Sequence, residues 1–301
     1  MSSVIGLDIG GTSVKLGAWQ AGERLAWQAG LPVPATTDQA EIIAALAGYI
    51  RALAAELPAP PVATGVGSCG LISTGVVRES PNTVWDELRL VELLGAELGQ
   101  PVTLLNDADA FLLAALARLE NRNCVALGIT LGTGIGTAVW LTDRLLAGGA
   151  GISPEGGHIT VQAGGETGLT GIAGDWEHLA GRSALLRYYA NHGGSAQDPR
   201  EMAEAADAGN AAALAAWAEY GRFVGIGLGS LVNIFAPDYL LIGGGLAGAN
   251  RHYVVAMRDS LAAHKLRSLP RPELVFSDDA PDLVAAGAAI HAADYLRVGT
   301  V

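Results

Sequence analysis

Cysteine is nearly absent from this 301-residue sequence, which holds only Cys69 and Cys124. Two isolated thiols make neither a disulfide framework nor a cysteine metal site. They point instead to a reducing compartment, the cytoplasm. Long apolar runs are missing too. The best candidate, residues 223–236, is interrupted by Gly225, Gly227, Gly229, Ser230 and Asn233. It falls short of the about 20 residues that cross a bilayer, so it reads as a buried helix. No basic segment or signal-like apolar region precedes Val4, and no targeting leader is expected. Positive charge is scarce: 18 Lys and Arg face 30 Asp and Glu, for a formal charge of −12. A nucleic-acid surface needs clustered cations, so nucleic acid is not an expected partner. A nucleotide ligand remains compatible, because backbone N–H groups and Mg²⁺ supply positive potential locally.

What the sequence does have is small residues. Half of it is hydrophobic, much of that alanine, and it carries 41 glycines. This composition suits helices packed closely on strands, in one large core or two medium ones. Strand-length apolar runs lie at Val4–Ile9, Val14–Trp19, Val62–Gly67, Val102–Leu105, Val125–Thr130, Thr137–Leu141, Tyr239–Ile242 and Leu274–Phe276. Helical periodicity covers Gln39–Glu56, Ala108–Glu120, Trp176–Ala190, Ala211–Ile234, Asn250–Lys265 and Asp282–Leu296. Asp38 is the expected N-cap of the first helix, with Glu41 three residues on. Strands alternating with helices predict an α/β architecture.

One design occurs twice. The run from Val4 to Thr12 is a strand, then a glycine turn with a hydroxyl residue, then a second strand. Val125–Gly134 repeats it. The repeat predicts two related halves facing each other across a cleft. We place the first domain at about 1–118, joined by the C-terminal helix at about 282–301, and the second at about 119–281.

Three groups of residues carry candidate chemistry. In the first turn, Gly10 and Gly11 let the backbone approach an anion, Thr12 offers a hydroxyl, and Asp8 is placed to hold Mg²⁺. An ordinary hairpin turn would also use Gly-Gly. Gly132, Thr133 and Gly134 form the matching loop, and Gly243, Gly244 and Gly245 follow a third strand, where nucleotides often bind. Neither the Walker pattern nor G-x-G-x-x-G before a helix is present. The second group is Asn106-Asp107, where a strand ends and a helix begins. Asp107 is either a helix cap or a general base for an attacking hydroxyl, the one base that phosphoryl transfer calls for. Asp109 reads as a helix-start carboxylate. The third group is Glu155 and His158 in a glycine-rich loop, followed by Glu177. A carboxylate and an imidazole so placed either bind vicinal sugar hydroxyls or are solvated loop residues. Trp85 or Trp176 is a candidate aromatic surface beside a sugar. One His and one Glu do not make a four-ligand zinc site.

Taken together, these motifs resemble the ROK family of sugar kinases and repressors over essentially the whole chain. The matching features are Asp8–Thr12, Asn82 in Ser80-Pro81-Asn82, Asn106-Asp107, Thr130–Gly134, Glu155-Gly-Gly-His158 and Gly243–Gly245, in family order. The resemblance implies a two-domain actin-like, ribonuclease-H-like fold with nucleotide and sugar between the domains. It implies ATP with Mg²⁺, transfer to the 6-hydroxyl of a hexose (glucose by default, or a related hexose or hexosamine), and a homodimer. Asp107 would then be the base, and Asn82, Asn106, Asp107, Glu155, His158 and Glu177 would contact the sugar. Asp8, Gly10, Gly11, Thr12, Lys15, Gly132, Thr133, Gly134 and Gly243–Gly245 would serve the nucleotide. Family repressors carry an N-terminal helix-turn-helix; with a strand expected to start at Val4, a repressor is not the expected reading. A polyphosphate-dependent glucokinase and a non-catalytic sugar sensor are the alternatives.

The sequence departs from the family at one place. Many members carry C-x-C-G-x-x-G-C-x-E after the sugar-site histidine and bind zinc there. The count from His158 to Glu177 matches the family's spacing, but the cysteine positions hold Gly168, Thr170 and Asp175. No structural zinc is therefore expected. Asp175 is expected to take over part of the role, by capping the helix that carries Glu177 or by accepting a hydrogen bond from His158. A neutral loop substitution is the alternative.

Overall fold

The computed structural model describes residues 2–80, 83–277 and 282–299. In chain order it begins with β1 (Val4–Ile9), β2 (Val14–Gln20), β3 (Glu23–Leu31), α1 (Gln39–Ala54) and β4 (Thr64–Ser68). Next come β5 (Leu71–Ser73), β6 (Val76–Glu79), β7 (Asp86–Leu88), α2 (Leu90–Leu98), β8 (Val102–Asn106) and α3 (Asp107–Leu116). Then follow β9 (Val125–Leu131), β10 (Ile135–Leu141), β11 (Arg144–Leu145), α4 (Trp176–Ala180), α5 (Arg182–Asn191) and α6 (Pro199–Asp207). The chain closes with α7 (Ala211–Phe235), β12 (Tyr239–Gly243), α8 (Asn250–His264), β13 (Glu273–Phe276) and α9 (Leu283–Val298).

The chain packs as two units. One holds the residues through Arg122, Leu145–Pro154 and the C-terminal helix, and the other holds Asn123–Arg144 and Glu155 through β13. This division differs from the expected one at residues 145–154, which group with the first unit. Ser73 Oγ donates to the Ala150 carbonyl at 2.6 Å and Ser153 donates to Asp109, anchoring that segment there.

Each unit contains a five-stranded sheet, ordered β3-β2-β1-β4-β8 in the first and β11-β10-β9-β12-β13 in the second. The connectivity is the same in both. An antiparallel hairpin leads, and two further strands pair in parallel beside it: β1 with β2 and β4, and β9 with β10 and β12. All six residues of β1 are buried, as expected of a central strand covered on both faces. On α1, Ile42, Leu46, Ile50 and Leu53 fall at helical spacing and bury one face in the first core. Each such side chain contributes about 1.5–3 kcal/mol when fully buried. Asp38 caps this helix as expected, accepting from Ala40 N at 2.8 Å and Glu41 N at 3.4 Å.

Close backbone approach accounts for part of the glycine content. A Cβ on Gly65 of β4 would lie 1.9 Å from the Ala288 carbonyl oxygen of α9. In the second unit a Cβ on Gly225 of α7 would lie 2.3 Å from the Met257 oxygen of α8. Only glycine lets these helices seat so deeply. Among the described residues no helix is long and apolar enough to cross a membrane.

Two expectations need correction. The helix predicted over Trp176–Ala190 is two helices, α4 and α5, broken at Gly181, whose backbone is extended (φ −82°, ψ 175°). A Cβ there would meet the Thr133 oxygen at 2.9 Å, so the break lets a turn of the second sheet approach. The predicted strand at Val62–Gly67 is β4, which begins at Thr64, because Val62 is drawn aside to donate to the Ser3 carbonyl at 2.9 Å.

Candidate active site

In the first unit the parallel strands β1, β4 and β8 end side by side, with Asp8 opposite Gly67 and Ser68 opposite Asn106. The carboxyl edge of a parallel sheet is where α/β folds take ligands. Beyond β1 the turn closes by Gly10 N–H donating to the Ser13 carbonyl at 3.1 Å, leaving Gly11 and Thr12 exposed. Lys15 sits across the hairpin from Asp8 and donates to its carboxylate at 2.9 Å. Burial pushes the Asp8 carboxyl above its usual range, and Lys15 pulls the other way. Lys15, expected among the nucleotide contacts, is thus the charge partner of Asp8.

At the end of β8 the cap role falls to Asn106. Asn106 is the N-cap of α3, its side-chain oxygen accepting from Ala108 N at 2.9 Å, while its amide donates to the Gly70 carbonyl at 3.2 Å. Asp107 is the first residue of the helix, half-buried at the edge of the sheet, with Oδ1 accepting from Ala108 N at 2.8 Å. Asp109, read as a helix-start carboxylate, is buried and takes the Ser153 hydroxyl. Asn82 lies outside the described residues.

In the second unit the two glycine turns come together. Gly243 stands opposite Thr130, and Leu246 N–H donates to the Leu131 carbonyl at 3.0 Å. Gly244 has φ +90°, and a Cβ there would lie 2.4 Å from the Leu131 oxygen, so this approach requires glycine. A cavity of about 530 Å³ opens beside Gly132, Thr133 and Gly245, walled also by Arg182, Arg200 and Trp217. That volume suits a nucleotide-sized ligand. Sequence reasoning missed these wall residues. The Asp198-Pro199 start of α6 was the available signal, since Asp caps a helix that begins with proline.

The same unit carries the third group. Gly156 N–H donates to Thr137 Oγ1 at 2.8 Å, and a Cβ on Gly157 would lie 2.1 Å from the Ile135 oxygen. These contacts seat the Glu155–His158 turn on β10. Glu155 is exposed along part of its surface, yet burial around the carboxyl pushes its pKa up. His158 lowers it and Glu177 raises it further. His158 Nδ1 lies 3.3 Å from Asp175 Oδ2, and Asp175 is only 1% exposed. Asp175 also caps α4, accepting the Glu177 N–H at 3.0 Å on Oδ1. It therefore does both of the things expected of it as alternatives. Glu177 in turn accepts the Ile135 N–H at 2.9 Å and lies against Gly134, which ties it to the glycine hairpin as well as to the histidine loop.

The tryptophan suggestion does not hold. Trp85 is buried, with its indole N–H donating to the Pro34 carbonyl at 3.0 Å. Trp176 is fully buried and donates to the Phe223 carbonyl at 2.9 Å. Both rings belong to cores. The residues at the family's zinc positions do not fit zinc either. His158 Nδ1 and Asp175 Oδ2 bond to each other, and Gly168 offers no side chain. Among the described residues no group of three His, Cys, Asp or Glu side chains could hold a metal, whereas structural zinc takes four ligands.

Comparison with known proteins accords with this arrangement. The model of the ROK family matches residues 4–294. The chain is 29% identical over 272 residues to a glucokinase of Streptomyces coelicolor, covering 82% of this chain and 83% of that one. It is similar in structure to the ROK hexokinase of Thermus thermophilus, with a TM-score of 0.85, 30% identity, and coverage of 98% and 99%. It is also similar to a ROK family glucokinase of Streptomyces griseus solved with glucose and AMPPNP, with a TM-score of 0.83, 25% identity, and coverage of 97% and 100%. The fold is the α/β actin-like ATPase fold of these kinases, and the chain belongs to the ROK family.

Proposed function

We propose that this chain is an ATP-dependent sugar kinase that phosphorylates the 6-hydroxyl of a hexose, glucose or a close relative. The observation that carries this reading is the cavity bordered by both glycine turns of the second unit, in a member of a family that includes glucokinases. Backbone N–H groups of Thr133 and Gly134, and of Gly244 and Gly245, suit phosphate oxygens, since successive amides in such turns form an anion-binding concavity, while Gly132 N–H closes its own turn on the Gly134 carbonyl. Arg182, Arg200 and Arg251 line the same cavity together with Asp198, Glu204 and Asp207, and Arg182 donates to Asp198 at 3.3 Å.

Asp107 is assigned as the base. It takes the proton of the sugar 6-hydroxyl as that oxygen bonds to the γ-phosphorus. The bond to the bridging β–γ oxygen breaks, and ADP leaves. Asn106 is the N-cap of α3 and Asp107 its first residue, which sets the Asp107 carboxylate at the end of β8 with Oδ1 on the Ala108 N–H. Glu155, His158, Glu177 and Asn106, with Asn82, are assigned to the sugar hydroxyls. Asp8 would hold Mg²⁺, directly or through water. Its carboxylate is a hard oxygen ligand, and its buried setting is one that a cation would offset. When bound, Mg²⁺ neutralises charge developing on the phosphates.

The test is a panel of hexoses and amino sugars (glucose, mannose, allose, glucosamine, N-acetylglucosamine) with ATP and, separately, polyphosphate, read by sugar-phosphate formation. Phosphorylation of a hexose with ATP supports the proposal. Sugar binding with no transfer from either donor would identify a sensor instead, and transfer from polyphosphate alone would reassign the donor.

A further inference from the structure

We propose that Asp175, backed by Thr170, is the positioning residue of the sugar site in this chain, and that it holds His158 and Glu177 without a metal ion. The inference rests on the sugar-kinase reading for its kinetic consequence, though not for its geometry.

Asp175 is buried to 1% exposure, and its contacts account for both carboxylate oxygens. Oδ1 accepts the Glu177 N–H at 3.0 Å. Oδ2 accepts the Thr170 hydroxyl at 2.5 Å and faces His158 Nδ1 at 3.3 Å. A carboxylate can only accept, so His158 must present Nδ1–H to it, which leaves Nε2 as the other ring nitrogen to meet a ligand. Fixing the tautomer of an imidazole through its second nitrogen is what an outer partner does for a ligating histidine. A thiolate cage would perform that service through a metal. Here one buried carboxylate performs it directly.

The loop around Asp175 is organised to support this without a metal. Val161 N–H donates to the Gly174 carbonyl at 2.8 Å, Gly174 N–H to Glu166 at 2.8 Å, and Trp176 N–H to Ile159 at 3.0 Å. Gly174 has φ +68°, and a Cβ there would lie 1.9 Å from the Gln162 oxygen. Two short bridges, Thr160 with Asp175 and Thr167 with Ala173, close the loop on itself. Backbone hydrogen bonds thus do the folding work that a zinc ion would do elsewhere. Downstream, the cap on α4 sets Glu177, whose carboxylate bonds Ile135 N–H beside Gly134. One side chain therefore orients two of the residues assigned to the sugar.

Four variants and a metal analysis test this on the full chain. Asp175→Asn keeps an oxygen for the cap but loses the charged acceptor for Nδ1–H. It should raise the sugar KM about tenfold, the lower end of the usual effect of removing such a partner, and leave the ATP KM within about twofold. Thr170→Val should raise the sugar KM by a few-fold, and Thr170→Ser should restore it. Asp175→Ala, which loses the cap as well, should be worse than Asp175→Asn in both KM and melting temperature. In the wild type, ¹⁵N NMR should show His158 protonated on Nδ1, and Asp175→Asn should change that pattern. The purified protein should hold no stoichiometric zinc, and a chelator should leave sugar binding unchanged.

An unchanged sugar KM in Asp175→Asn would overturn the proposal. So would sugar and ATP KM values rising together with a fallen melting temperature, a His158 protonated on Nε2, or stoichiometric zinc whose removal abolishes sugar binding. If the wild type phosphorylates no sugar, the functional reading fails by itself, and the tautomer and metal measurements still decide the positioning role.

Discussion

Asp8 and Thr130 occupy equivalent places in two hairpins built alike. Each stands one residue before the end of its strand, with Ile9 facing Val14 in the first and Leu131 facing Ile135 in the second. Opposite Asp8 is Lys15, whereas opposite Thr130 is Gly136, with no side chain. The first hairpin is therefore crossed by a part-buried ion pair and the second is not. Where the second needs a carboxylate, it borrows Glu177 from α4, held on the Ile135 N–H. The difference shows how a duplicated frame divides labour. The first sheet presents carboxylates, Asp8 and Asp107, at its edge, suited to a cation and to proton transfer. The second presents Thr133 and glycine backbone at its turn, with the Glu177 carboxylate held against it from α4.

The largest expected effect comes from Asp107, the residue proposed as the base. Asp107→Asn should lower turnover by about 10²–10⁴-fold, the range for a general base, while sugar binding by calorimetry stays within about twofold. A variant keeping more than a tenth of wild-type turnover would remove Asp107 from the chemistry.

Next is a pH effect confined to the second unit. The Glu155 carboxyl is pushed above its ordinary value of 4.5, and in the proposed role its ionised form would accept sugar hydroxyls. Lowering the pH should therefore raise the sugar KM at a midpoint above that value, and Glu155→Gln should abolish the titration. A midpoint at or below the ordinary value would contradict the assignment.

A smaller contrast separates the two turns directly. A Cβ on Gly134 would lie 2.1 Å from Glu177 Oε2, whereas one on Gly10 would touch only the Ser13 oxygen at 3.4 Å. Gly134→Ala should cost about 1 kcal/mol, the worth of the displaced hydrogen bond, and raise the sugar KM by moving Glu177. Gly10→Ala should be close to neutral in thermal melting. Equal losses in the two variants would erase the distinction between the hairpins.

The smallest effect is a slope. Because burial raises the Asp8 carboxyl above its unfolded value of 3.8, its contribution to stability is present below that value and is lost as pH rises through the folded one. Asp8→Asn should remove this part of the pH dependence of the denaturation midpoint. An unchanged slope would mean that Lys15 fully offsets the burial.

Much of the frame was legible because it is local. Asp38 announces α1 by side-chain chemistry that acts within one turn, and β1 is an apolar run whose burial needs no further information. The edge strand β3 was missed because its residues are mostly exposed and give no clean alternation. The sheet β5–β7 was missed because its strands are three or four residues long. The break at Gly181 could not be read from periodicity, which runs on through it. The cause is the Thr133 carbonyl, which approaches from the second sheet.

Residue types and spacing by themselves determined the α/β repeat, the three glycine turns, the placement of Asp107 at a strand end, and the loss of the family's thiolates. These follow from local propensity and from which side chains can ligate. Tertiary structure alone decided that Trp85 and Trp176 are core residues rather than sugar surfaces, that Asn106 and not Asp107 is the cap, and that both alternatives for Asp175 are realised in one carboxylate. The physical reason is that a side chain's partners are set by which backbone segments are brought beside it. Thr170, His158 and Glu177 reach Asp175 only because the intervening loop closes on itself through its own backbone hydrogen bonds.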